Sequence, residues 1–256
     1  MLLAVDVGNT HTVLGLFEGE TLRANWRVAT RPDVTGDEMG VVWRALFTQD
    51  EIPVDAVDGM IVSSVVPDLD AVIRRIGQRI FSLEPLFVGP GVKTGMPILY
   101  ENPHEVGADR IVNAVAAQHR YGAPVIVLDF GTGTTLDVVS SNGEYVGGII
   151  APGLGISAEA LFSKAARLHR VDVREPKQLI GRTTEQSLRS GLYYGYLALV
   201  DGLVRRLLSE FDTEVPIVAT GGLATVFAND LPQLRAVDSG LTLEGLRLIW
   251  DRNQQR

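Results

Sequence analysis

Asp6-Val7-Gly8-Asn9-Thr10 follows the first apolar run of the chain, and Asp129-Phe130-Gly131-Thr132-Gly133-Thr134-Thr135 follows a later one. Each of these turns leads into a second apolar stretch that ends at a Gly-Glu turn, containing Gly19 in the first copy and Gly143 in the second. The turn glycine lies 13 residues beyond the Asp in the first copy and 14 in the second, so the repeat covers a whole hairpin. The sequence therefore predicts a duplicated unit.

The residue types of the repeated turn suit a bound phosphate. Glycine lets main-chain N–H groups approach a ligand closely, and the Asn and Thr side chains add further donors. An Asp at the end of a strand could hold Mg²⁺, which prefers oxygen ligands and accompanies phosphates. Two tight hairpin turns in which Asp and Asn cap backbone groups are the alternative interpretation. The repeat in register favours a nucleotide held between two halves.

The composition is that of an ordinary folded protein of one or two domains. The 256 residues are 46% hydrophobic and 7% aromatic,. The net charge is −8 and the basic residues are scattered, which argues against a nucleic-acid or anionic-membrane surface,. The absence of cysteine excludes disulfides and thiolate metal sites,. Because no uncharged apolar stretch reaches the roughly 18 residues of a membrane span and no signal sequence is evident, we expect a cytoplasmic protein.

Strand patterns alternate with helix patterns along the chain. Residues Ala56 to Ser64 are typical of a strand, and Pro67 opens a helix with apolar residues at helical spacing,. Gly122-Ala123-Pro124 is the best candidate for a domain boundary,. The pattern predicts a duplicated α/β fold with domains at 1–121 and 122–256 and an active-site cleft between them.

Several segments together resemble the successive motifs of one family, the type III pantothenate kinases. They are Asp6-Val7-Gly8-Asn9-Thr10, Glu105-Val106-Gly107-Ala108-Asp109-Arg110, Asp129-Phe130-Gly131-Thr132, Gly147-Gly148-Ile149-Ile150-Ala151-Pro152-Gly153, Ser190-Gly191-Leu192-Tyr193-Tyr194-Gly195-Tyr196 and Val200-Asp201-Gly202. The resemblance is colinear over nearly the whole chain. It implies the fold of the acetate and sugar kinase, Hsp70 and actin superfamily, in which two ribonuclease-H-like (actin-like ATPase) domains clasp ATP. It also implies transfer of the γ-phosphoryl group of ATP to pantothenate, the first step toward coenzyme A.

The resemblance assigns roles to individual residues. It implies that Asp109 is the general base, that Asp6 holds Mg²⁺ and that Asp129 binds a monovalent cation, K⁺ or NH₄⁺. The implied ATP contacts are Asp6, Val7, Gly8, Asn9, Thr10, His11, Thr12, Val13 and Thr132. The implied pantothenate contacts are Tyr100, Gly107, Ala108, Asp109, Arg110 and Thr184. Ordinary surface or edge positions are expected for the four histidines, which show no metal-binding spacing.

The residues alone leave structural alternatives open at these positions. Asp109 could be a first-turn helix carboxylate beside a surface Arg110, and both a helix amino terminus and that Arg would weaken it as a base. Tyr100 could be a core-edge residue, and Thr184 could be the N-cap of the long helix predicted from about Thr184 to Glu210. Asp137, on the strand that follows the second Asp turn, could support the site from behind or be an exposed strand residue, and we interpret it as exposed.

Glycines at 191, 195 and 202 lie inside the predicted long helix, where each costs about 1 kcal/mol relative to Ala,. We therefore expect something to pack closely against them. Members of the resembled family are homodimers with this helix near the interface, although packing within the chain would predict the same apolar face. Another kinase of the superfamily and a non-catalytic nucleotide-binding regulator are the alternative functions. Retention of Asp6, Asp109 and Asp129 argues against the regulator.

Overall fold

The computed structural model describes residues 1–165 and 168–254 of the chain. The strands of these residues are β1 Leu2–Val7, β2 His11–Glu18, β3 Thr21–Ala29, β4 Gly59–Ser64, β5 Leu86–Phe87, β6 Val125–Phe130, β7 Gly133–Val139, β8 Tyr145–Pro152, β9 Ile217–Gly221 and β10 Leu234–Val237. The α-helices of the described residues are α1 Gly36–Gln49, α2 Pro67–Ile76, α3 Ala108–Tyr121, α4 Leu154–Lys164, α5 Thr184–Leu208, α6 Ala224–Phe227 and α7 Leu241–Gln254. Within these two ranges, no helix is both long and apolar enough to cross a membrane.

Two five-stranded sheets share one topology. The strand order is β3-β2-β1-β4-β5 in the first sheet and β10-β9-β6-β7-β8 in the second. In each, two antiparallel hairpins are followed by a crossover to strands that run parallel to the first strand of the sheet. Gly19 and Gly143 close the equivalent hairpins with φ of 59° and 78°, a conformation that favours glycine,. The predicted duplicated α/β fold is confirmed.

The chain forms two compact units, one of Met1–Arg120 together with the segment from Gly240 onward, and one of Tyr121–Ser239. The second compact unit therefore ends at Ser239, before the end expected for a domain of residues 122–256. Helix α7 packs on the first sheet, where Leu243 lies against Gly15 and Trp250 against Gly59. Gly15 and Gly59 have no side chains, which leaves room for the large residues of α7 on that face.

In the first unit, the two faces of the sheet have different roles. Strand side chains alternate between faces, so Leu3, Val5 and Val7 point into the core beneath α1 and α2, which includes the fully buried Trp43 and Phe47,. The residues between them, including Asp6, point to the opposite face, which carries α7. The predicted helix at Pro67 is confirmed as α2, which buries Leu69, Ile73 and Ile76.

The second unit buries one face of its sheet against α5. Phe130 on β6 lies 5.8 Å from Phe227 and 6.2 Å from Tyr196, measured between ring centroids. Tyr193 is 1% exposed, and its hydroxyl donates a hydrogen bond to the carboxylate of Asp230. Because Phe130 points into this aromatic cluster, the neighbouring Asp129 points to the other face of the sheet,.

Candidate active site

The first Asp turn connects β1 to β2. The backbone N–H of Gly8 donates to the carbonyl oxygen of His11 (3.0 Å), which closes the turn and leaves Asn9, Thr10 and His11 exposed. A Cβ on Gly8 would lie 3.1 Å from that carbonyl oxygen, so the tight turn leaves little space for a side chain there. The turn therefore presents its exposed polar groups beside Asp6, which is partly buried.

Three of the predicted ATP contacts are buried or partly buried, unlike the exposed residues of the turn. The side chain of Val7 lies in the core of the first unit, and Val13 is partly buried on β2 opposite Asp6. Thr12 is fully buried, and its hydroxyl shares a hydrogen bond of 2.9 Å with that of Thr30. Val7 and Thr12 therefore shape the turn from within the fold, and their side chains are not presented to solvent.

Asp109 lies near the edge of the sheet where β1 and β4 end. The backbone N–H of Val65, just beyond β4, donates to the carbonyl oxygen of Val7 at the end of β1 (3.0 Å). A Cβ built on Gly107 would lie 3.6 Å from Cγ1 of Val65 and 2.5 Å from Oδ1 of Asp109. The fold thus brings the start of α3, with Asp109, to the carboxyl end of the strand that carries Asp6. The sequence separates these two carboxylates by about a hundred residues.

The pKa of the Asp109 carboxyl is raised above its ordinary value of 3.8, chiefly because burial disfavours the charged form,. The backbone N–H of Arg110 donates to Oδ1 of Asp109 at 2.8 Å, which together with the Arg110 charge lowers the pKa by a smaller amount. The expectation that the helix terminus and Arg110 would leave a weak base is therefore wrong in its net direction. Desolvation outweighs both effects, which makes the carboxylate a stronger base.

Arg110 is 8% exposed, so the alternative of a solvated surface pair with Asp109 is also wrong. Helix α3 is buried along most of its length, with residues 110–117 all buried. Its Asn113 accepts a hydrogen bond of 2.7 Å from the hydroxyl of Thr242 at the start of α7. Helix α3 is thus a fixed support for Asp109 and Arg110.

The second Asp turn has its own close contacts. Gly221, at the end of β9, has φ of 91°, and a Cβ there would lie 2.5 Å from Oδ1 of Asp129. Gly153 lies directly against the carbonyl oxygens of Gly131 and Thr132. Carboxylate and carbonyl oxygens near one another suit a hard cation. No cluster of three or more His, Cys, Asp or Glu with metal-binding geometry occurs among the residues described.

The remaining predicted substrate contacts lie on separate elements. Tyr100 is partly buried in the segment before α3 and belongs to the first unit. Thr184 belongs to the second unit and is the exposed first residue of α5. Thr183 is the N-cap of α5, since its hydroxyl accepts from the backbone N–H of Gln186 at 3.2 Å. The capping alternative for Thr184 is therefore wrong.

Asp137 is fully buried, which corrects its interpretation as an exposed strand residue. Its carboxylate accepts hydrogen bonds from the hydroxyls of Tyr145 (2.7 Å) and Thr135 (2.9 Å). Strand β7 is interior, between β6 and β8, and most of its residues on both faces are buried. The four histidines are exposed, as expected.

Two hydroxyl residues beside the turn carboxylates were not singled out by the sequence patterns. Ser63 on β4 is the parallel-strand neighbour of Asp6, and Thr220 on β9 is the neighbour of Asp129. Both hydroxyl residues are buried. The only signal in the sequence is a Ser or Thr near the end of the corresponding strand in each half.

The duplicated sheets and paired Asp turns define the fold shared by sugar kinases and actin-like ATPases. The fold is similar to that of the inorganic polyphosphate/ATP-glucomannokinase from Arthrobacter sp. strain KM, with a TM-score of 0.51 and 15% identity over 100% of this chain and 99% of that one. The sequence model of the type III pantothenate kinases matches residues 2–206, and the chain belongs to that family.

Two curated relatives carry the same family name. The chain is 54% identical to the type III pantothenate kinase of Koribacter versatilis, over 99% of this chain and 96% of the relative. It is also 54% identical to the type III pantothenate kinase of Myxococcus xanthus, over 99% of each chain. The similarity therefore extends through both compact units.

Proposed function

We propose that this protein transfers the γ-phosphoryl group of ATP to the primary hydroxyl of pantothenate, giving 4′-phosphopantothenate in the first step of coenzyme A biosynthesis. The environment and position of the Asp109 carboxylate are the main support for this proposal. This carboxylate is partly buried, has a raised pKa and lies at the carboxyl end of the strand that carries the Asp6 turn. Membership of the type III pantothenate kinase family supports pantothenate as the acceptor.

Asp109 acts as the general base that accepts the proton of the pantothenate hydroxyl. One of its oxygens, Oδ1, accepts a hydrogen bond from the backbone N–H of Arg110, which orients the carboxylate. A base is most effective when its pKa is closer to the working pH, so the raised pKa favours this role. Phosphoryl transfer depends mainly on positioning, and the buried α3 fixes the carboxylate in place,.

The Asp6 turn binds the phosphates of ATP. Backbone N–H groups of the turn and the exposed Asn9 and Thr10 side chains supply donors, and His11, Val13 and Thr132 are further proposed contacts. The carboxylate of Asp6 suits Mg²⁺, which when bound supplies neutralisation of phosphate charge. The buried hydroxyl of Ser63 beside Asp6 fits such a site, because a bound cation would order polar groups around it.

Asp129 binds a monovalent cation, K⁺ or NH₄⁺. Its carboxylate lies close to Gly221, and the nearby carbonyl oxygens of Gly131 and Thr132 are of the ligand type that such cations prefer. An Asp129→Asn variant should lose most of the dependence of its rate on potassium concentration. Unchanged potassium activation in that variant would remove Asp129 from this role.

Arg110 pairs with the carboxylate of pantothenate, with Tyr100 and Thr184 as further contacts. The planar guanidinium of Arg suits a carboxylate better than an ammonium does. Thr183 and Thr184 provide a matched test of substrate binding. Thr184→Ala should raise the KM for pantothenate without loss of stability, whereas Thr183→Ala should cost about 1 kcal/mol of stability and leave that KM unchanged. Equal effects of the two substitutions on KM would contradict the assignment.

The protein forms a homodimer through one face of α5. At Gly191, Gly195 and Gly202, nothing in the described part of the chain lies within 4 Å of a built Cβ. The described part of the chain therefore supplies no packing partner for them, and a second copy would account for three helix glycines that each cost about 1 kcal/mol,. Leu199, which is 39% exposed on the same helix, is available for the contact. Light scattering should give a dimer for the wild type and a monomer for Gly195→Leu.

One assay tests the reaction. ADP formation is measured with pantothenate and with a panel of sugars and short carboxylates, in the presence and absence of potassium, for the wild type and for Asp109→Asn. Turnover of pantothenate alone, lost in the variant, is the expected result. Turnover of another acceptor in place of pantothenate would identify a different kinase of the superfamily. Nucleotide binding without turnover of any acceptor would identify a regulator.

A further inference from the structure

Each turn carboxylate has a hydroxyl residue beside it on the neighbouring parallel strand. Asp6 on β1 is in register with Ser63 on β4, and Asp129 on β6 is in register with Thr220 on β9. Strands β4 and β9 hold equivalent positions in the two sheets. The duplication therefore includes a carboxylate and a hydroxyl that sit side by side, and not only the Asp turn.

Ser63 and Asp6 point to the same face of the first sheet. Val62 and Val5 both point into the core beneath α1 and α2, so the residues that follow them point away from it,. Neighbouring strands lie about 4.8 Å apart, which puts a serine hydroxyl within reach of an aspartate carboxylate on the adjacent strand. The two side chains are therefore neighbours on one face of the sheet,.

The hydroxyl of Ser63 is buried and lacks a hydrogen-bond partner. Ser63 is 0% exposed, and its Oγ has no partner in the described ranges of the chain. A buried hydroxyl without a partner lowers stability, whereas Ala would avoid that cost. Its buried neighbours on β4, Ile61 and Val62, are aliphatic.

The hydroxyl of the adjacent Ser64, by contrast, has hydrogen-bond partners. Its hydroxyl donates to Oδ1 of Asp70 (2.6 Å) and accepts from the backbone N–H of Val66 (3.3 Å), so it fixes the entry to α2. Ser64 has a structural role that is complete within the described chain. Ser63 has none, although the two residues are consecutive.

We propose that Ser63 is a positioning residue for Asp6, whose carboxylate receives a hydrogen bond from the Ser63 hydroxyl when Mg²⁺ and nucleotide are bound. This inference rests on the proposed role of Asp6 in holding Mg²⁺. A carboxylate that ligates a metal is itself usually held by hydrogen bonds, and loss of such a bond typically weakens metal affinity by about 10- to 100-fold. The hydroxyl orients the carboxylate and makes no contact with the substrate.

The test compares Ser63→Ala, Ser63→Thr and the matched control Ser64→Ala with the wild type. Thermal unfolding is followed without ligand and during a Mg²⁺ titration at a fixed concentration of a non-hydrolysable ATP analogue, with pantothenate omitted. In Ser63→Ala, the melting temperature without ligand should be unchanged or higher, and the Mg²⁺ concentration for half-maximal stabilisation should rise about tenfold. Ser63→Thr, which keeps the hydroxyl, should restore the wild-type Mg²⁺ dependence. Ser64→Ala should melt at a lower temperature with its Mg²⁺ dependence unaltered.

Wild-type Mg²⁺ dependence in Ser63→Ala would overturn the proposal. So would a fall in its ligand-free melting temperature as large as that of Ser64→Ala, since the hydroxyl would then have a structural role. Absence of Mg²⁺-dependent stabilisation in the wild type would overturn it as well. Because the titration contains no acceptor substrate, an error in the assignment of pantothenate would leave this result unaffected.

Discussion

Asp109→Asn should greatly slow catalysis and at the same time stabilise the protein. Loss of a general base typically lowers the rate by about 10²- to 10⁴-fold, and we expect kcat to fall in that range with little change in the KM for ATP. The amide oxygen of Asn can still accept the hydrogen bond from the Arg110 backbone N–H, now 2.8 Å from Oδ1 of Asp109. The fold around the site is therefore retained.

The stability gain follows from the direction of the Asp109 pKa shift. The pKa is raised in the folded state because burial destabilises the charged carboxylate by more than its hydrogen bonds and the Arg110 charge stabilise it. Each unit of difference between the folded and unfolded pKa corresponds to about 1.4 kcal/mol at pH values above both. Asn carries no charge and avoids this cost.

The same shift predicts a pH dependence. With a folded pKa above the unfolded value of 3.8, protonated Asp109 contributes stability that is fully present below pH 3.8 and is lost as the pH rises through the folded pKa,. The stability advantage of Asp109→Asn over the wild type should therefore grow across that window and stay constant above it. Urea denaturation of both proteins at a series of pH values measures this difference.

Asp68→Asn is the matched control for Asp109→Asn. Asp68 is also in the first turn of a helix, α2, but it is exposed. Its carboxylate interacts favourably with the helix dipole, so its replacement should cost about 0.3–1 kcal/mol and leave the rate unchanged. If Asp109→Asn were destabilised at neutral pH in the way expected of Asp68→Asn, the reasoning from burial would be refuted.

Three further substitutions test other features of the fold and site. Gly245→Ala should destabilise the protein by about 1–3 kcal/mol in urea denaturation, because a Cβ there would collide with the carbonyl oxygen of Val112 on α3,. Tyr193→Phe should cost about 0.5–1.5 kcal/mol by the same measurement, since the hydrogen bond from the buried Tyr193 hydroxyl to the exposed carboxylate of Asp230 is lost,. Asp129→Ala should reduce the rate at every potassium concentration, whereas full activity would show that the second turn carboxylate is dispensable.

Local patterns in the sequence were sufficient to predict most of the elements that position the site. The hairpins that follow Asp6 and Asp129, the start of α3 at Ala108 and the long helix beginning at Thr184 are all observed. These features depend on residues close together in the chain, such as turn glycines, apolar periodicity and helix-start residues. The interpretations of Asp109, Arg110 and Asp137 that were wrong all concern burial. The surroundings of Asp137 depend on strands and helices that cover both faces of β7.

The sequence by itself determined the duplication, the two Asp turns and the Gly107-Ala108-Asp109-Arg110 motif that resembles a pantothenate kinase. Only the tertiary structure decided that α7 belongs to the first unit, that desolvation raises the pKa of Asp109, and that Ser63 lies beside Asp6. A turn or a helix start is set by a few neighbouring residues. Desolvation is instead the sum of contacts from every element packed around a group. Adjacency of parallel strands is likewise set by a crossover, which here brings together residues 57 positions apart,.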